Sequence, residues 1–433
     1  MNQNSLQDHL EPRVLFVDMN SFFASCEQQT NFYLRGRPVA VCVYTGKYGC
    51  VIAPSIEAKK RGIGLGLRLN EAIKICPELV PLETNPDKYR TFHYKILQVL
   101  RKYSDDVIPR SIDEAVVDLS NYKYLYKTTG DIINVAKKIK RDISDHVGDW
   151  LKCSIGIAPN AFLAKLASDI KKPDGLTVIS PENIDDVLSK LELTELPGIA
   201  RGMQERLNRG GIYTPVELRH ADPAHLKAAC KSIVGLHWHY RLNFKEVDLL
   251  TSDYKNMSAM RQVSKEQRRY PEVLKDVLMN LCMILEKRMV KKQLFCQRMA
   301  FSFNYEDKSS WGNKIACEHA IQDGMEIFQI IQQYMKQFEN KHQLQQSIIN
   351  SNITSMGVVV WDFIPDEMVQ LDLFNEELVK TNKARKTIYA IKDKYGMDKV
   401  VRASELKADE DAKILNDVIG FGSIKDVTYN DFE

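Results

Sequence analysis

No apolar run in the 433 residues approaches the roughly twenty that a membrane-spanning helix requires. The polar stretch Met1 to Glu11 lacks a signal-peptide pattern. No membrane partner is therefore expected, and the setting is expected to be cytoplasmic. Nine cysteines, an odd number without one CxxC pair, exclude a disulfide framework and suit reduced thiols. Histidine is scarce as well. The only close pair is His237-Trp238-His239, and with no cysteine nearby it reads as packing rather than zinc ligation. Gly62, Gly64 and Gly66 follow a helical stretch instead of joining a strand to a helix, which sets aside a dinucleotide-binding loop. Net charge is only +3, so no single-signed field covers the whole molecule. A length of 433 residues leaves room for two to four domains, each with its own core.

Carboxylate is present where burial makes it costly. Asp18 follows the apolar run Val14 to Val17, and Asp113-Glu114 precedes the apolar run from Ala115 to Leu119. Both runs read as buried strands. Unpaired carboxylates at such places cost several kcal/mol, so three of them together call for cations. With no His or Cys beside them, Asp18, Asp113 and Glu114 form a hard oxygen donor set that suits Mg²⁺, or Mn²⁺, rather than zinc. Two such ions sharing carboxylates are the usual apparatus for displacement at phosphorus.

Charge is also uneven. Between Thr251 and Ala300 lie eleven basic and five acidic residues, Arg261, Lys265, Lys291 and Lys292 among the former, whereas the last seventy residues lean acidic. A local basic excess of this kind is the footprint of contact with a phosphate backbone.

The pattern of elements is mixed α/β. Val14–Asp18 reads as a strand, and Ser21 as the cap of a helix running to about Gln29. Val39–Val43 and Cys50–Ala53 read as strands and Ile56–Arg61 as a helix. A long amphipathic helix is expected over Asp87–Tyr103, then a strand Ile112–Leu119, a helix Gly130–Val147, a strand Cys153–Ala158 and a helix Asn160–Ile170. Glu182 to about Asn243 reads as helical throughout, with Leu196-Pro197-Gly198-Ile199-Ala200 as a tight turn able to present backbone N–H groups to a phosphate. Residues 244–256 read as a tether. From Met257 the order strand, helix, strand, strand, helix, strand is a split βαβ-βαβ unit. The C-terminal remainder has weak helical periodicity and no repeat.

Four motifs in order carry a family resemblance: Val17-Asp18-Met19-Asn20-Ser21-Phe22-Phe23-Ala24-Ser25-Cys26-Glu27; Ile56-Glu57-Ala58-Lys59; Ser111-Ile112-Asp113-Glu114-Ala115; and Ser154-Ile155-Gly156-Ile157-Ala158-Pro159-Asn160 leading to Lys171-Lys172-Pro173-Asp174-Gly175. Over roughly residues 12–420 the chain resembles the Y-family, lesion-bypass DNA polymerases of the bacterial UmuC/ImpB type. The resemblance implies an α/β (α+β) multidomain right hand. Its parts are a palm (1–30 and 80–180), small fingers (31–79), a helix-hairpin-helix-like thumb (181–243), a tether (244–256), a βαββαβ little finger (257–365) and a C-terminal tail (366–433).

The same resemblance implies the site residues. Asp18 and Asp113 match the aspartates that bridge both metal ions, Glu114 the carboxylate at the catalytic ion, and the Met19 carbonyl a ligand of the nucleotide-bound ion. Phe23 matches the aromatic steric gate, whose ring leaves no room for a 2′-hydroxyl. Phe22, Lys59 and Lys172 match nucleotide-binding positions, although the Phe22 ring is expected to pack in the core. Ala53 and Ile56 stand where some relatives place hydroxyl groups against the phosphates, Ser21 where some have tyrosine, and Ala200 where the thumb turn usually has glycine. Arg261, Lys265, Lys291 and Lys292 are implied as contacts with duplex DNA. Gln370, Leu371, Leu373 and Phe374 fit the QLxLF peptide by which bacterial polymerases dock to the sliding clamp.

The expected activity is template-directed, low-fidelity synthesis past damaged bases, taking dNTPs onto primer–template DNA with two Mg²⁺ ions. As with UmuC-type proteins, a recombinase filament or accessory subunits are admissible partners in an SOS response. The alternative, a catalytically weak clamp-tethered DNA-binding protein that modulates replication, gives no reason to keep mutually repelling carboxylates. A nucleotide cyclase would leave the basic βαββαβ module and Gln370–Phe374 without a use.

Overall fold

The computed structural model describes residues 10–46, 49–249, 255–369, 384–391, 394 and 400. The chain divides into two compact units that meet at Leu250 and Thr251 in sequence.

In the first unit β1 (Val14–Met19) lies at the centre of a five-stranded sheet. With β2 (Val39–Cys42), β3 (Val51–Pro54), β4 (Val80–Glu83), β5 (Val107–Pro109), β6 (Glu114–Asp118), β7 (Cys153–Ala158) and β8 (Leu176–Val178), that sheet has the order β5-β6-β1-β7-β8. β1 is buried along its whole length because both faces are covered, which is why its sequence is a continuous apolar run up to Asp18. Leu15 and Val17 pack with residues of helices Pro86–Leu100 and Thr129–His146. Val14 and Phe16 pack with helix Ala161–Ile170 on the other face. Each helix starts on a side-chain oxygen. Asn85 accepts from Lys88 N, Asn160 accepts from Leu163 N, and Thr128 forms a capping box with Asp131.

β2, β3 and β4 form a separate sheet of order β3-β2-β4, with β2 and β4 parallel. Helices Ile56–Lys60 and Leu69–Ile75 close its own small core of Ala40, Val51, Ala58, Ile63, Leu69 and Ala72. Residues 184–242 are helical as expected, in five short helices gathered on Leu207, Leu218, Leu226 and Trp238.

Two expectations fail locally. Ser21 does not cap helix Phe22–Thr30. It sits in the left-handed region at φ 49° with its hydroxyl unused, where the chain turns from β1 into the helix across only Asn20 and Ser21. The strand expected from Ile112 begins only at Glu114, since Arg110 N and Ser111 N both donate to the Glu114 carbonyl and fold residues 111–113 into a bend. Outside the expected set lie β4, β5, helix Leu69–Ile75 and β8, the last an edge strand parallel to β7.

The second unit contains β9 (Asn256–Gln262), helix Pro271–Lys291, β10 (Leu294–Tyr305), β11 (Ser310–Ile321), helix Gly324–His342 and β12 (Ile353–Pro365). Its sheet has the order β11-β10-β12-β9 with every neighbouring pair antiparallel. β9 and β10 are therefore parallel with β12 between them, and β11 and β12 parallel with β10 between them. This is the split βαβ-βαβ arrangement. Met299, Phe301 and Phe303 of β10 and Met356, Val358 and Val360 of β12 form a core with the two helices. Between them Ala300, Ser302 and Val359, of the opposite parity, stay outside it, whereas Cys296 and Ile353, beyond the register shifts, rejoin it. In the C-terminal remainder residues 384–391 are helical, and buried Arg385 donates to Asp323 Oδ2 at 2.6 Å.

Candidate active site

Register brings the first two carboxylates together. Asp18 and Glu114 are direct partners across the antiparallel β1–β6 ladder, so their side chains leave the same face of the sheet. Asp113 stands one residue earlier in the bend. Met19 N donates to its carbonyl at 2.9 Å, and Ser111 Oγ donates to its Oδ1 at 2.5 Å. The bend is fixed from below by His93 of helix Pro86–Leu100, whose Nδ1 lies 2.8 Å from the Ile112 carbonyl oxygen. Burial lowers the pKa of this histidine, which therefore serves as a neutral strut.

Like charges opposed on a ladder repel, and the compensation is a residue the sequence reading missed. Lys165 Nζ lies 2.5 Å from Asp18 Oδ2 and 2.6 Å from Glu114 Oε1. Lys172 Nζ reaches the same Asp18 oxygen at 2.7 Å, and Asp169 takes up both lysines. Lys165 is the one charged residue in the run Ala161 to Ser168, and that isolation was the signal available in the sequence. It reaches the carboxylates because helix Ala161–Ile170 lies directly against β7. A Cβ on Gly156 would stand 1.9 Å from the Ala164 carbonyl oxygen and 2.4 Å from Ser168 N.

The ionisation pattern follows. Burial would raise the Asp18 pKa, but the Lys165 and Lys172 ammoniums outweigh it and hold that carboxyl below its ordinary value. Burial raises Asp113, opposed by the Ser111 hydrogen bond and assisted by the charge of Asp18. Glu114 is raised chiefly by burial, with Lys165 opposing and the two aspartates adding. Lys165 is raised, because the three carboxylates around it outweigh its burial. Desolvation of its ammonium, and then the charge of Lys172, lower Lys59, while Asp18 and Asp113 act on it in the other direction.

The loop that carries Lys172 is tied to the end of β1. Asn20 Oδ1 accepts from Asp174 N at 2.7 Å, and Asn20 Nδ2 donates to Ser154 Oγ at 3.1 Å. Phe22 and Met19 lie in the core, as Phe22 was expected to. Phe23 is also nearly covered, its ring stacked on Tyr89.

The donors around Asp18 are hard oxygens, and positive charge already sits among them in the form of two ammoniums. As the side chains stand, the lysines hold these oxygens, and among the described residues no three His, Cys, Asp or Glu side chains are grouped to hold a metal ion. The chemistry of the donor set fits a divalent cation that takes over the place of an ammonium.

The DNA-contact candidates lie in the second unit. Lys265 is exposed after β9, and Lys291 and Lys292 end helix Pro271–Lys291. Arg261 shares the parity of buried Met257, Ala259 and Val263, so it belongs to the helix-facing row of β9, where its Nε and Nη2 are buried without a partner. Register instead puts exposed Arg298 and Lys314 on the open face, with Ser302, Gly312 and Met260. Gln370, Leu371, Leu373 and Phe374 lie outside the described residues. Among the described residues no helix is long and apolar enough to cross a membrane.

Comparison with known proteins gives one answer throughout. The impB/mucB/samB family matches residues 17–169, and the C-terminal domain of the same family matches residues 254–373. The DNA polymerase IV 1 of Halalkalibacterium halodurans is 32% identical over 405 residues, covering 91% of this chain and 94% of the relative. The DNA polymerase IV of Bacillus cereus is 31% identical over 398 residues, covering 91% and 92%. Among solved structures, a Y-family DNA polymerase chimera of Dbh and Dpo4 superposes with a TM-score of 0.67 at 25% identity, covering 81% of this chain and 99% of that one. An insertion ternary complex of Dbh DNA polymerase superposes with a TM-score of 0.56 over the same shares. With both halves matched in order and a 32% identical relative spanned almost whole, the chain belongs to the impB/mucB/samB family and is a Y-family translesion DNA polymerase.

Proposed function

We propose that Asp18, Asp113 and Glu114 carry the nucleotidyl transfer of this polymerase, adding dNTPs to primer–template DNA. The observation behind this assignment is the Asp18–Glu114 cross-strand pair with Asp113 held beside it by Ser111. Residues 1–30 and 80–180 act as the palm, 31–79 as fingers, 181–243 as thumb and 257–365 as little finger. Two Mg²⁺ ions, with Mn²⁺ as substitute, would be held by the three carboxylates and the Met19 carbonyl. They supply Lewis-acid activation of the primer 3′-hydroxyl and charge stabilisation at the α-phosphate.

The chain's own residues do the rest. Lys172 and Lys59 neutralise the triphosphate, where a point charge suffices. Asn20 holds the Lys172 loop at the end of β1, so that the ammonium arrives in a fixed position. Lys165 keeps Asp18 ionised and gives up its place between the carboxylates when the site is loaded. Phe23 closes the sugar side against a 2′-hydroxyl. On the open face of the second unit, Arg298 and Lys314 contact the duplex backbone, as does exposed Lys265 beyond the end of β9. The cytoplasm is its setting, and a sliding clamp is its partner through Gln370–Phe374.

Primer extension tests the assignment. Asp113→Ala should lose extension by about a thousandfold or more while retaining affinity for primer–template DNA. Extension by the variant at a rate near the parent's would remove Asp113 from the chemistry.

A further inference from the structure

The Phe23 ring is not held by its own helix alone. Tyr89, on helix Pro86–Leu100, stacks on it with ring centroids 4.3 Å apart and planes 11° from parallel. Tyr89 is fully buried, and its hydroxyl donates to Glu27 Oε1 at 2.9 Å. Glu27 lies four residues after Phe23 on helix Phe22–Thr30, so it projects on the same side one turn further on. The second Glu27 oxygen accepts from Lys88 Nζ at 2.6 Å, on the same helix as Tyr89. Burial and the neighbouring Glu27 charge raise the Tyr89 pKa, so the phenol remains a donor.

These contacts make a closed frame: Phe23 to Tyr89 by ring stacking, Tyr89 to Glu27 by a hydrogen bond, and Glu27 back to Phe23 through one helical turn. A ring that excludes a 2′-hydroxyl by volume works only if it does not yield. Moving aside by about half an ångström to one ångström would admit the extra oxygen. An isolated phenylalanine retains rotamer freedom, whereas a stacked one gives up the stack when it moves, and aromatic pairs resist separation beyond their area burial.

We infer that Tyr89, anchored by Glu27, is the positioning residue that fixes the plane of the Phe23 ring and so sets the sugar selectivity of the enzyme. This inference rests on the reading of Phe23 as the steric gate.

The test is the ratio of kcat/KM for a dNTP to that for the matching rNTP, measured by single-nucleotide primer extension on the full chain. Phe23→Ala, Tyr89→Leu and Tyr89→Phe are compared with the parent. A general loss of fold or of active fraction lowers both terms and leaves the ratio unmoved. Phe23→Ala should collapse the ratio. Tyr89→Leu, which removes stack and hydroxyl together, should lower it about tenfold, and Tyr89→Phe, which keeps the stack, about threefold. An unmoved ratio in Phe23→Ala would overturn the gate reading. A collapsed ratio there with parental ratios in the Tyr89 variants would overturn the inference alone. Should Tyr89→Leu fail to fold, Tyr89→Phe decides by itself, and a parental ratio in it overturns the inference.

Discussion

Lys165 and Asp18 meet at 2.5 Å over the end of the central strand, and the same ammonium lies 2.6 Å from Glu114. The carboxylates proposed to hold divalent ions thus already have a cation of the protein's own. Lys165 is itself mostly enclosed, lying over the Phe16 ring with its Nζ 5.1 Å from the centroid. Its helix is anchored by the cap at Asn160 and the close approach at Gly156.

Replacing Lys165 by Met should therefore leave buried Asp18 facing half-buried Glu114, with Lys172 the one ammonium still on Asp18. In the presence of chelator, thermal unfolding should shift down, consistent with a loss of about 3 kcal/mol for a buried ion pair deprived of one partner. Added Mg²⁺ or Mn²⁺ should then stabilise the variant more than the parent, because the Lys165 ammonium no longer has to be displaced. The comparison of melting temperatures with and without metal checks both statements. Equal metal-induced shifts in the two proteins would remove Lys165 from this role.

Gly156 is the place where one methyl group should be felt in both stability and catalysis. A Cβ there meets backbone atoms of Ala164 and Ser168, which belong to a helix and cannot turn away as a flexible side chain would. Gly156→Ala should lower stability by about 3 kcal/mol. Extension should fall further than stability predicts, because the displaced helix carries Lys165 and leads to Lys172. Denaturant unfolding, together with extension at a temperature where the variant is fully folded, separates the two effects.

The acids, the apolar strands and the element order were legible in the sequence because each rests on local pattern: burial of β1 on both faces, the break in polarity at Asp18, and the alternation of strands and helices. What was not legible depends on contacts between distant segments. Lys165 meets Asp18 across 147 positions and Asn20 meets Asp174 across 154. Nothing near Ser21 announces a left-handed residue without its usual capping bond. Arg261 was read from element order and basic charge. The parity of β9, with Met257, Ala259 and Val263 buried, places it in the helix-facing row instead.

That parity makes a prediction for DNA binding. Arg298 and Lys314 lie on the open face of the second-unit sheet, paired through the Arg298–Trp361 and Ala300–Lys314 registers. Alanine at either should weaken primer–template affinity at all sequences alike and reduce the salt slope of log K by about one. Arg261→Met should leave that slope unchanged and leave stability unharmed, because the parent already buries two guanidinium nitrogens without partners. Affinities measured over a range of salt concentrations decide between the two rows.

The peptide Gln370-Leu371-Asp372-Leu373-Phe374 supplies one amide and apolar side chains within five residues, the composition an extended ligand needs to fill a hydrophobic cleft on a partner. It comes five residues after β12 ends at Pro365, so its sequence is separate from the core strands of the second unit. Changing Gln370, Leu373 and Phe374 together to alanine should cancel stimulation of synthesis by the sliding clamp. Each lost apolar anchor removes about 2 kcal/mol or more from such a contact, enough together to abolish binding at micromolar concentrations. Synthesis without the clamp should proceed at the parental rate, since none of the three residues is assigned to the chemistry or to DNA. A variant stimulated as strongly as the parent would place the clamp contact elsewhere on the chain.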